Sequence, residues 1–150
     1  MDREVGGAVG AESSDDDLAV AERLWALTAL PEPAREAREA AWGLAGFGLA
    51  YTILMGLMLG AEAAGGAAIQ FLCSWLLALV VGGFTRGASG VRVLAISLAL
   101  AQAVVGWQTH PLDVPFAQWI VAVLYSLGAS IVVVFQLTRP EAKHWFGIQS

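Results

Sequence analysis

One cysteine, Cys73, occurs in 150 residues. A lone cysteine excludes an internal disulfide framework and a zinc site built from several cysteines. Set in an apolar block, it reads as a small packing residue rather than a reactive thiol. Charge is also scarce, at 14% of residues, against roughly 25% in an ordinary soluble domain. Lys and Arg number 8 against 13 Asp and Glu, for a formal net charge of -5. With no basic stripe to neutralise phosphates, nucleic acid is not an expected partner. The opening stretch "MDREVGGAVGAESSDDD" is acidic and has no apolar core after a basic start, so it does not read as a signal peptide.

What the chain has in quantity is apolar sequence, 57% of it. Its charge is segregated. Between Ala40 and Arg139 the only formal charges are Glu62, Arg86, Arg92 and Asp113. They divide the region into apolar blocks at 41–60, 67–84, 91–108 and 117–137, each close to the ~20 residues a helix needs to cross a bilayer. A soluble domain of this size would mix charge along every helix. The expected fold is therefore all-α: a polytopic membrane protein with a four-transmembrane-helix bundle. The connections "AEAAGG", "TRGASG" and "THPLDVPF" are short, so sequential helices should be antiparallel neighbours.

Four regions follow. Residues 1–16 are rich in Gly, Ala, Ser and Asp and bury too little to fold, so they read as a disordered acidic tail. Residues 17–39 read as a cytoplasmic or interfacial helical segment. Asp17 can cap an amphipathic helix there, Pro31 and Pro33 stop it, and Pro33 fits the first turn of the next helix. That amphipathic helix could rest on the membrane or on a partner. Residues 40–138 form the transmembrane domain, and 139–150 an interfacial C-terminal tail.

Orientation follows from Lys and Arg near the ends of spans. Arg35, Arg38, Arg86, Arg92, Arg139 and Lys143 all fall on one face of a four-span protein. That face is expected to be the cytoplasm, with both termini inside a bacterial inner membrane. Trp and Tyr are favoured where hydrocarbon meets water. Trp42, Trp107 and Trp119 are accordingly expected as interfacial anchors. In the tail, Arg139 and Lys143 should meet anionic lipid, Pro140 should start a short in-plane helix, and Trp145 and Phe146 should fold back into the interface.

An ionisable residue inside a span would mark a functional site. None of the four blocks has one away from its ends. The spans hold serines, Ser74, Ser97, Ser126 and Ser130, but no histidine to activate them. No catalytic residue, cofactor or metal site is expected. His110 and Asp113 in "THPLDVP" are two candidate metal ligands on an exposed turn, too few for a site. What remains is uncharged polarity at mid-depth: Tyr51, Trp75, Gln102 and Tyr125. Such groups need partners on neighbouring helices. Gln102 is expected to point inward and bond Tyr125 first, Trp75 next. Gln70, Gln108 and Gln136 are placed near span ends, where water or headgroups serve them. Gly56 and Gly60 form a small-xxx-small pair that permits close helix approach.

The stretch from Val91 to Phe146, with its closing Pro140, Lys143, Trp145 and Phe146, resembles small four-span membrane proteins of actinobacteria. The resemblance covers about the last 60 residues. It implies an integral membrane protein and carries over no site residues. The function expected from the sequence is non-enzymatic. The chain would act through protein contacts, as an accessory or regulatory subunit of an inner-membrane complex. The alternative is a small oligomeric channel or transporter with its pore between subunits. Expected partners are the lipid bilayer and a membrane protein or further copies of the chain.

Overall fold

The computed structural model describes residues 18, 20–21, 24–25, 30–86, 88–108 and 115–147, without the side chain of Arg86. The acidic tail and the His110–Asp113 turn lie outside these residues. The chain divides into two compact units, Met1–Leu30 and Pro31–Ser150. In the first, Leu18, Val20, Ala21, Leu24 and Trp25 are helical.

The second unit is built from four long helices and a short fifth: α1 (Glu32–Leu59), α2 (Ala61–Val81), α3 (Ser89–Gln108), α4 (Phe116–Thr138) and α5 (Pro140–Gly147). The four long helices are long and apolar enough to cross a membrane. The fold is an all-α four-helix bundle, and the protein is a multi-pass membrane protein. Packing runs in a ring, α1 on α2, α2 on α3, α3 on α4, and α4 back on α1.

Prolines set three of the starts. Pro31 holds an extended backbone, and its carbonyl accepts the N–H groups of Ala34 and Arg35 at 2.9 and 3.1 Å. Pro115 does the same for Gln118 and Trp119 at 2.9 and 3.2 Å. Pro140 opens α5, and the residue before a proline is pushed out of the helical region. Arg139 is accordingly extended and ends α4.

Two boundaries differ from expectation. The "AEAAGG" stretch is not a loop but the first turns of α2. Its alanines favour helix, Glu62 suits the positive N-terminus, and two glycines are not enough to stop it. The whole α1–α2 connection is Gly60, with φ +92°. Gly60 is therefore a turn residue and not a packing partner of Gly56. A side chain would be strained there by its backbone, although an added Cβ would meet nothing within 4 Å. At the other end, α1 runs unbroken from Glu32 through 39 and 40 into the span.

The α1–α2 seam is built on missing side chains. An added Cβ on Gly56 would lie 3.2 Å from the Cβ of Ala64. On Gly48 it would lie 2.6–2.7 Å from three atoms of Phe71. Farther along, the Trp75 indole N–H donates to the Ala45 carbonyl at 3.3 Å. These pairs sit at nearly equal distances from Gly60 along the two helices, so the turn sets the register of the hairpin.

Candidate functional site

The polar centre of the bundle is organised by Gln102. Its side chain is fully buried and touches two helices at once. The amide oxygen accepts the Ser74 backbone N–H of α2 at 2.9 Å. The amide nitrogen donates to the Gln70 carbonyl of α2 at 2.9 Å and to Ser126 Oγ of α4 at 3.1 Å. Three of the amide's four hydrogen-bonding positions are thus used. Gly106, one turn away on α3, makes room for α4: an added Cβ would lie 3.3 Å from Ser126 Oγ. Ser74 Oγ turns back to the Phe71 carbonyl of its own helix at 2.6 Å.

Gln102 therefore points inward, but its partners stand one residue from those expected. Ser126 takes the place of Tyr125, and the Ser74 backbone that of Trp75. Tyr125 is 42% exposed and stacks on Phe47, with ring centroids 4.2 Å apart. Trp75 bonds the α1 backbone. Tyr51 is buried in an aromatic cluster with Phe47 and Phe71, and its hydroxyl has no hydrogen-bond partner among the described residues. The four residues do not converge on one pocket.

The sequence reading missed Gln70. Because α2 begins at Ala61, Gln70 lies well inside the span, and it is fully buried. Its amide has no hydrogen-bond partner among the described residues, nor has Ser130 Oγ. Gln136 is buried too, and its amide donates to the Glu36 carboxylate of α1. Only Gln108 is exposed as expected.

The end of the bundle where α1 begins and α4 ends is closed by packing. Phe84, in the short 3-10 turn Phe84–Arg86, and Phe146 of α5 are both fully buried, edge to face with centroids 5.3 Å apart. Phe146 is thus a core residue and not an interfacial anchor. It shares the inner face of α5 with Ala142, one turn earlier. Trp145 is half-buried beside Pro31, Pro140, Glu141 and His144. Arg92 donates from Nε to the Leu137 carbonyl at 2.9 Å, placing a cation on the negative end of α4. Arg139 and Lys143 are exposed, and the Arg139 guanidinium lies 5.3 Å from the Phe135 ring centroid.

Of the expected tryptophan anchors, Trp42 and Trp107 face outward at 55% and 65% exposure. Trp119 does not. It is 8% exposed, joins the core beside Leu44 and Phe71, and lies 6.4 Å from Trp107 between ring centroids. No group of three or more His, Cys, Asp or Glu that could hold a metal occurs among the described residues.

Compared with known proteins, the chain matches no family model, no curated protein and no solved structure.

Proposed function

We propose that the protein works without catalysis, by holding another membrane protein through α3, as an accessory or regulatory subunit. The observation that carries this reading is Ser97. It stands near the middle of α3 and faces outward. Its hydroxyl has no hydrogen-bond partner among the described residues, not even the carbonyl one turn back in its own helix. Gly90 and Ala101 continue the same stripe, flanked by Val93, Leu94 and Val104, which are 61%, 49% and 54% exposed. The α3 span is also the least buried, at 22% against 28% for α1 and 39% for α2 and α4.

Lipid tails do not reward small or hydroxylated residues at that depth. A neighbouring helix does, by close approach and a hydrogen bond. Cysteine at position 97, in a chain whose Cys73 is first replaced by alanine, should cross-link to a second polypeptide in native membranes. Cysteine at Leu124, 61% exposed on α4, should not. A monomeric product from both positions refutes the reading.

The alternative is a channel between subunits. The same cross-link would support it if the captured polypeptide were a second copy and the reconstituted protein conducted ions. On the one-sided placement of Arg and Lys, both termini are assigned to the cytoplasmic side of a bacterial inner membrane. A reporter fused beyond residue 147 should read cytoplasmic, and an external reading would overturn the assignment.

A further inference from the structure

A groove of about 440 Å³ opens between α1 and α2, lined by Trp42, Ala45, Gly46, Leu49, Trp75, Ala78 and Leu79. It lies in the half of the bundle where α1 begins and α2 ends, since Trp42 is in the third turn of α1 and α2 ends at Val81. Its floor is made of small residues: Gly46 has nothing within 4 Å of an added Cβ. Trp75 is fixed across one wall by its bond to the Ala45 carbonyl.

Size and charge say what fits. The lining is apolar and runs along α1 from Trp42 to Leu49, roughly 10 Å at ~1.5 Å per residue, so it fits part of one acyl chain. At a helical repeat of 3.6 residues, the α1 stripe that faces the groove continues toward the water through Arg38 and then Arg35. Neither guanidinium has an ion-pair partner among the described residues. Of the acids nearby, Glu36 accepts the Gln136 amide, and Glu39, exposed and four residues from Arg35, makes no ion pair among the described residues. An acyl tail in the groove would bring its headgroup beneath Trp42, against Arg38. Long basic side chains next to the membrane surface recruit anionic lipid in this way.

We infer that the α1–α2 groove is a binding site for one anionic phospholipid, its acyl chain between Trp42 and Trp75 and its headgroup on Arg38 and Arg35. This site is separate from the α3 face proposed for protein contact.

The test uses the full-length protein delipidated in mild detergent. Phosphatidylglycerol with a brominated acyl chain should quench tryptophan fluorescence saturably. Unlabelled phosphatidylglycerol should reverse the quenching at a concentration at least fivefold lower than phosphatidylcholine. Arg35→Gln with Arg38→Gln should erase that preference while phosphatidylcholine competes as before. Gly46→Leu, which fills the floor from the outside, should abolish saturable quenching of the Trp42 and Trp75 signals. Trp42→Phe should remove part of the quenchable signal and needs no change in the floor. Equal competition by the two lipids in the wild type overturns the site. So does unchanged quenching in the arginine pair. A cysteine at position 46 that forms a disulfide dimer, or cross-links to a different polypeptide, would give the groove to a helix instead and likewise overturn it.

Discussion

Gly48→Ala should lower the stability of the detergent-solubilised protein by about 1–3 kcal/mol, the usual cost of overpacking a filled core. The added Cβ would stand 2.6–2.7 Å from Cβ, Cγ and Cδ1 of Phe71. The Phe71 Cβ is fixed by its backbone, so a rotamer change that moved the ring would still leave the contact at 2.7 Å. The helices themselves must part, and α1–α2 is the most extensive contact in the bundle. Alanine's better helix propensity, worth up to about 1 kcal/mol over glycine, works against this cost and does not cancel it. Trimming the ring in Gly48→Ala with Phe71→Ala should make the two losses less than additive, because two of the three clashing atoms are gone. Thermal unfolding in detergent checks both variants. A Gly48→Ala protein that melts with the wild type would mean the helices are not this close.

Gln102→Leu should cost about 1–2 kcal/mol, since hydrogen bonds between helices in a membrane contribute little more than ~0.6 kcal/mol each on average. The α2 groups it leaves behind belong to a continuous helix, so their loss is small. Ser126 Oγ loses its donor outright. The sharper measurement is a double-mutant cycle with Ser126→Ala, which should show coupling between the two sites. The same cycle with Tyr125→Phe should show none. A larger coupling to Tyr125 would contradict the arrangement. Gln70→Leu is the control. Its buried amide makes no protein bond among the described residues, so removing it should leave stability unchanged or raise it.

The sequence made the number and type of helices legible, because charge is expelled from four stretches and every polar group left inside has to be uncharged. That one amide at mid-span must face inward was legible for the same reason. Its exact partner was not. One residue along a helix is a rotation of about 100°, so Tyr125 and Ser126 are adjacent in sequence and face different neighbours. Periodicity cannot resolve that step until the packing is known. The start of α2 was misread because glycines in "AEAAGG" look like loop residues, whereas one glycine at position 60 makes the whole turn. That error moved Gln70 toward a boundary when it belongs in the core. Phe146 was misjudged for a different reason: an aromatic beside a tryptophan near a membrane surface suits lipid and suits protein equally, and only the position of Phe84 decides between them.

The Phe84–Phe146 pair also fixes an order of events. Phe84 emerges from the ribosome between the second and third spans, and its ring partner follows only after the fourth span and the proline turn have been made. Until then Phe84 stands without the ring that it meets in the folded bundle. A chain cut short before α5 therefore carries an apolar mark that Phe146 otherwise covers. Making α5 and closing this end of the bundle are thus one step, and a copy without α5 is chemically distinguishable from one that has it.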